Sequence, residues 1–363
     1  MSRTLPDKIY SLDVLRGLAA LSVVFWHWQH FFYVGSEPNN FILEKQPFYN
    51  ILSLFYRHGD LAVELFFCIS GFIFYWLYSK NISDGKVSPI SFFINRISRL
   101  YPLYIISFLS VATLQFIYIK SHGSYFIYQH NDLYHAILNI LMIPAWGFEN
   151  GWSFNAPVWS VSIEVILYSI FFLVCIFGNL RIFIIPFFIV FGYYIFDVNY
   201  KIGIGLYSFF CGAATYIIYS FLLNKFGAKP LLLTSSIYMA FGWLTIYTND
   251  IYNSFIVTGI GFTSLISFLV SINCVNKVAL VKLNPIGNLS YSSYLIHFPL
   301  QIIFSLIVDS IGLERSVFYN PLSIIVFIST LIPLSLAVHK YYEMPAQKYI
   351  RNITLTNNCK STN

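Results

Sequence analysis

Ten long apolar runs divide this chain, at roughly 12–34, 60–78, 102–119, 157–177, 181–196, 202–222, 230–247, 252–272, 286–308 and 321–339. A helix needs about 20 predominantly apolar residues to cross a bilayer, and no soluble fold has a use for ten such runs in series. The expected fold is therefore all-α: a polytopic bundle of about ten spanning helices in a lipid bilayer. The run at 181–196 is short enough to be re-entrant, and the one at 136–146 reads as an interfacial helix. The first run lacks a small-residue cleavage site and reads as a retained signal anchor. Residues 1–350 would form one transmembrane domain, and 351–363 a short disordered cytoplasmic tail.

Charge agrees with that solvent. Only 10% of residues are charged and 57% are apolar, where soluble domains carry about a quarter charged. With the N-terminus inside, fifteen Lys and Arg fall on inner loops and five on outer ones (Lys45, Arg57, Lys120, Lys201, Arg315), Arg16 being left out. The positive-inside rule then predicts both termini in the cytoplasm. The net charge of +6 is spread over short loops, which argues against nucleic acid as a partner. The five cysteines have neither metal nor disulfide spacing, and no metal is expected.

Ionisable residues inside spans are expensive and so mark function by default. The first span holds Asp13, Arg16 and His27. Arg16 and His27 would lie roughly 16 Å apart along an ideal helix and within about 20° of one face, with Asp13 a turn before Arg16. The bland reading is a snorkelling Asp–Arg pair and a satisfied core histidine. Asp60 and Glu64 open the second span four residues apart, placed to share a proton or face a cation, unless Asp60 only caps the helix. Arg96 and Arg99 present two guanidinium forks suited to phosphate, or they simply anchor the inner face. Trp159, Ser160 and Glu164 begin the fourth span, with Glu164 about two turns deep. His297 lies halfway along the ninth, and Glu343 closes the last. Buried His and carboxylates serve proton relays in carriers as well as catalysis, so these residues alone leave enzyme and transporter open. A carrier of glycans or lipid-linked sugars would use the same groups.

In their order these segments resemble the acyltransferase-3 family of bacterial membrane acyltransferases. The carriers are Arg16-x10-His27 and Gly59 to Gly71 with Phe66-Phe67 and Ser70-Gly71. Arg96-x-x-Arg99-Leu100-x-Pro102 and Trp159-Ser160-x-x-x-Glu164 follow, then Tyr294-Leu295-Ile296-His297-Phe298-Pro299 and Glu343-x-Pro345. The likeness covers nearly the whole chain. One departure is Asp60-Leu61-Ala62-Val63, where Gly-Val is common.

The resemblance implies transfer of an acyl group, usually acetyl, from cytoplasmic acyl-CoA (acetyl-CoA) to a sugar hydroxyl of a surface or secreted glycan or a lipid-linked oligosaccharide. On that basis His27 is the expected general base, with Glu164 orienting it or stabilising its cation. Arg96 and Arg99 would hold the CoA phosphates, and Arg16 the pantetheine region or developing charge. Asp13, Asp60, Glu64, Trp159, Ser160, His297 and Glu343 are supporting candidates. Another acyl group or an amine acceptor stays open. Some relatives carry a C-terminal esterase-like domain of the SGNH type; none is expected after Pro345 here, so transfer would be completed by this domain or handed to a separate periplasmic acyl-accepting partner. Trp146, Trp152 and Phe154 of the second outer loop either stack on sugars or belong to the interfacial aromatic belt.

Overall fold

The structure, a computed structural model, describes residues 4–360, with side chains through residue 353. Arg3, the side chains of Cys359 and Lys360, and the end of the expected tail lie outside the described residues. The chain begins with α1 (Tyr10–Trp26), a 3-10 turn (His27–Phe32) and a two-residue hairpin of β1 (Tyr33–Val34) with β2 (Glu37–Pro38), paired Tyr33↔Pro38 and Val34↔Glu37. Then come α2 (Tyr49–His58), α3 (Ala62–Ser83), α4 (Pro89–His122), α5 (Leu133–Ile140), α6 (Trp159–Ile176), α7 (Arg181–Ile195), α8 (Tyr200–Phe226) and α9 (Ala228–Thr248). The short α10 (Ser254–Ile256) passes through a π-helical stretch into α11 (Thr263–Val275), followed by α12 (Asn284–Ser310), α13 (Pro321–Val338) and α14 (Met344–Lys360).

Among the described residues, nine helical stretches are long and apolar enough to cross a membrane. The 17-residue α1 continues into its 3-10 turn, and counting it recovers the ten runs of the sequence. Large apolar side chains stand exposed on these helices, Phe183 and Phe241 at 76% and 70%, as helices facing hydrocarbon require. The protein is an all-α, multi-pass membrane protein.

Two boundaries move. The second span is preceded by helix: residues 49–83 are helical almost without break, so α2 occupies much of the stretch between the first and second apolar runs. Polar Asn50, Ser53, Arg57 and His58 dilute the local hydropathy there. Likewise α4 begins at Pro89 rather than near residue 102, because Ser91, Asn95, Arg96, Ser98 and Arg99 make its first turns amphipathic. Arg96 and Arg99 therefore sit on helix. The interfacial helix expected at 136–146 is α5, and α14 carries helix into the expected tail.

The chain divides into two compact units. Unit 1 comprises Met1–Ala19, Leu61–Ser88 and Ile163–Gly287; unit 2 comprises Ala20–Asp60, Pro89–Ser162 and Asn288–Asn363. In unit 1, α8 packs on α3 and α7, and α9 on α11. The α3–α8 crossing is backbone on backbone: a Cβ at Gly71 would overlap the Phe209 carbonyl, and one at Gly212 the Cys68 carbonyl. Ser11 ties the start of α1 to α11, its N–H donating to Asn273 Oδ1 (2.9 Å) and its hydroxyl to the Leu269 carbonyl (2.8 Å).

Unit 2 is built on aromatic clusters. Trp28, Phe31 and Phe32 enter one with Tyr56, Leu300, Phe318 and Phe327; the Phe31 and Phe318 rings stack at 3.8 Å, and Trp28 Nε1 donates to the Phe318 carbonyl (3.0 Å). Asp132 caps α5 by accepting from the His135 N–H (2.9 Å) and facing its ring Nδ1 (2.8 Å). Those two hydrogen bonds hold the Asp132 carboxyl below its ordinary pKa. A depressed folded pKa stabilises fully above the unfolded carboxylate range and loses that contribution as pH falls through the folded value. Asp132→Ala is expected to cost about 1 kcal/mol at neutral pH and much less in strong acid, as melting in detergent at the two pH values would read.

Candidate active site

The 3-10 turn after α1 creates the site. In such a turn residues i and i+3 eclipse, so His27 and His30 share one face while Trp28 and Phe31 share another. The aromatic face is buried in its cluster, which sets the imidazole face. The His27 and His30 rings lie 4.6 Å apart. His297 of α12 stacks on His27 with centroids at 5.0 Å, and its Nε2 is 3.1 Å from His27 Nδ1. All three histidines belong to unit 2.

Their partners assign the protons. His297 Nδ1 lies 2.7 Å from the Tyr294 carbonyl, which can only accept, so Nδ1 carries the proton. Nε2 of the neutral ring is then an acceptor, and it takes the Nδ1–H of His27. That leaves the lone pair of His27 on Nε2. Gln301, one turn beyond His297, donates from Nε2 to the His27 carbonyl (2.8 Å) and offers Oε1 to His30 Nδ1 (3.2 Å). His30 Nε2 then faces the Tyr128 hydroxyl at 3.4 Å. His297 is fully buried, His30 nearly so, and His27 half-buried: the ring with the free lone pair is the most accessible of the three.

Pro299 accounts for the surroundings. A proline inside a helix lacks the N–H that residue i−4 needs, so the Leu295 carbonyl is left open within α12. Asn155 Nδ2 fills that vacancy from the loop before α6 (3.1 Å). Beside it the Tyr294 hydroxyl donates to the Pro157 carbonyl (2.5 Å) and meets Ser160 Oγ (2.9 Å). Three hydrogen bonds thus hook residues 155–160 onto the stretch that carries His297.

The other expected residues fall into separate groups. Arg96 is buried over the Phe92 ring (5.9 Å) and Arg99 is half-buried on the next turn. Arg351 of α14 joins that turn, donating to the Asn95 carbonyl (3.2 Å) and Ser98 Oγ (3.3 Å). Glu343 is buried, accepts from Ser292 Oγ (2.8 Å) and pairs with His339 Nδ1 (3.0 Å), which pins α12 to the end of α13. Trp159 is half-buried at the start of α6. Asp60 is exposed, and no side chain caps α3.

The remaining candidates belong to unit 1. Asp13 faces Lys8 at 3.5 Å, Glu64 accepts from Ser254 Oγ (3.1 Å), and Glu164 accepts from the Tyr168 hydroxyl (2.7 Å). Arg16 is half-buried on α1. His30, Gln301, Tyr128 and Arg351 are missing from the sequence expectations. The spacings His27-x-x-His30 and His297-x-x-x-Gln301 were the available signal for the first two, since each puts two polar side chains on one helical face.

A bundle of membrane-length apolar helices defines a multi-pass membrane protein, and its second unit holds a paired imidazole centre. The comparisons narrow that class. A family model described as an acyltransferase domain matches residues 9–339, and the chain belongs to this acyltransferase-3 family. Protein 2 in picA locus of Rhizobium radiobacter is 34% identical over 112 residues, 31% of this chain and 48% of that protein. Acyltransferase MdmB of Streptomyces mycarofaciens is 27% identical over 168 residues, 45% of this chain and 38% of that protein. The matches therefore span less than half the length of these relatives. No solved structure matches significantly.

Proposed function

We propose that this protein is a membrane O-acyltransferase of the bacterial inner membrane. It moves an acyl group, acetyl in the first instance, from cytoplasmic acyl-CoA to a hydroxyl of a cell-surface or secreted glycan such as O-antigen, capsule or exopolysaccharide. The observation that carries the reading is the His27–His297 pair, which leaves His27 Nε2 as a half-buried base with its tautomer set from behind. His27 takes the proton of the acceptor hydroxyl, the oxygen attacks the thioester carbonyl, and the C–S bond breaks as the ester C–O bond forms. The proton then passes from His27 to the departing CoA thiolate. His297 does for Nδ1 what the carboxylate does in a Ser-His-Asp system, orienting the ring and sharing its positive charge.

Arg96 and Arg99 are assigned to the CoA phosphates, with Arg351 of α14 bonded to Asn95 and Ser98 of the same stretch of α4. Glu164 and Arg16 keep the roles that the family resemblance gives them, each to be read through its own alanine variant. The excess of Lys and Arg on the inner loops supports cytoplasmic termini.

The test is transfer of label from [acetyl-14C]acetyl-CoA, supplied at the cytoplasmic face of membrane vesicles, into the glycan fraction. Label is expected only when the protein is present. Arg96→Ala and Arg99→Ala are each expected to raise KM for acetyl-CoA about tenfold, the size of one lost charge-assisted contact, with a smaller change in kcat. Absence of label from every glycan fraction, with the protein present in the vesicles, would sink the reading.

A further inference from the structure

The loop that hooks onto α12 also encloses a small cavity in unit 2. Its buried lining combines polar Tyr104, Asn139, Ser153 and Asn155 with apolar Ala156 and Val158, and its half-buried or exposed lining includes Trp152 and Trp159. The free volume is about 10 Å³, the room of one oxygen-sized group and far too little for a ring. Most polar atoms of the buried lining are matched among themselves. Tyr104 donates to Asn139 Oδ1 (3.3 Å), and Asn139 Nδ2 donates to the His135 carbonyl (2.8 Å) and Ser153 Oγ (3.2 Å). Asn155 is the exception. Its Nδ2 is committed to the Leu295 carbonyl, which fixes the amide, and its Oδ1 is buried with no hydrogen-bond partner, the residue being 2% exposed.

A buried acceptor without a donor is destabilising until something supplies one. Ser153 Oγ already accepts from Asn139, so its own proton is available to give. Asn155 thus asks for a donor while Ser153 offers one, and a hydroxyl is both donor and acceptor. The exposed lining is aromatic at Trp152, which is 38% exposed. A ring too large for the cavity can lie there on an indole face while one of its hydroxyls points inward.

We infer that this cavity is an acceptor subsite: it takes one hydroxyl of a pyranose ring on Asn155 Oδ1 and Ser153 Oγ, with the ring resting on Trp152. The inference rests on the reading of the acceptor as a glycan and names residues that hold it. Because Asn155 and Leu295 are tied, a sugar so held is positioned by the same stretch of α12 that carries His297. The hydroxyl in the cavity is a positioning group, distinct from the one that is acylated.

The experiment is saturation-transfer NMR on the full chain in detergent, with methyl hexopyranosides of gluco, galacto and manno configuration as probes and glycerol as control. Saturable transfer to one ring face is expected for at least one hexoside and not for glycerol. Asn155→Leu and Trp152→Ala should each weaken it about tenfold, and Trp152→Phe no more than about threefold. Hexoside binding that depends on Asn155 supports the subsite even in a preparation that transfers no acyl group. Binding that is absent from wild type, or unchanged in both Asn155→Leu and Trp152→Ala, overturns it, and Asn155 then faces only a buried water. Should Asn155→Leu fail to accumulate, the variant Trp152→Ala decides alone.

Discussion

His27→Ala is expected to reduce acyl transfer by about 10²–10⁴-fold, the usual range for loss of a general base, while the protein still reaches the membrane at its normal level. Folding should tolerate the change because the turn is held by its other face. Trp28 and Phe31 are buried in the aromatic cluster and Gln301 holds the His27 backbone carbonyl, so the imidazole contributes little to anchoring. His297 gives the sharper test. Its Nε2 accepts the His27 Nδ1–H, and His297→Phe removes that acceptor while filling the space. The His27 ring is then free to adopt the other tautomer, with a bare Nδ1 facing an apolar wall, and a loss of about 10²-fold is expected. His297→Gln restores an acceptor oxygen near the position of Nε2 and should recover part of the rate. Added imidazole should rescue His27→Ala, whose reactive group is missing, and not His297→Phe, whose reactive group is present but misoriented. The measurement is label transferred from acetyl-CoA to glycan, normalised to protein in the membrane. Unchanged transfer in His27→Ala would end the base assignment.

The sequence shows the spans because hydropathy is a local sum over neighbouring residues. It misplaces their edges wherever polar residues line one side of a helix, as at Asn50 to His58 of α2 and Ser91 to Arg99 of α4. His27 is legible as an ionisable group at a costly depth. Its partner is less so: within a span a histidine bonded to its own backbone and a histidine facing another look alike, and His297 turns out to do both. His30 and Gln301 escape notice because they matter only once residues 27–32 tighten into a 3-10 turn and α12 comes alongside. The tie between Asn155 and Leu295 is harder still. Pro299 announces an open carbonyl four residues earlier, but nothing local says that the donor will arrive from 140 residues away. Arg16, Glu64 and Glu164 stand out in the sequence as clearly as His27, yet they fold into the other unit.

Gly71→Val and Gly212→Val are expected to be the most damaging substitutions in unit 1, and both residues belong to a different unit from the imidazoles. Helices in lipid gain little from apolar contact with one another, since the hydrocarbon around them is just as apolar, so their association depends on close packing. Here α3 and α8 meet through these two glycines, with the Phe209 carbonyl opposite Gly71 and the Cys68 carbonyl opposite Gly212. A Cβ at either site would overlap a backbone atom of the partner helix. Backbone has no rotamer by which to yield, so the helices must separate and every neighbouring contact along the crossing loosens together. Overpacking of ordinary cores costs about 1–3 kcal/mol where side chains can shift, and the cost here should lie above that range. Gly35 supplies the control. Its surroundings are open, so Gly35→Ala meets only the strain of a positive φ and should cost about 1 kcal/mol. Fluorescence-detected size-exclusion of tagged protein from membranes should show Gly35→Ala near wild-type level and both valine variants largely lost. Normal recovery of Gly71→Val would mean that α3 and α8 do not meet as described.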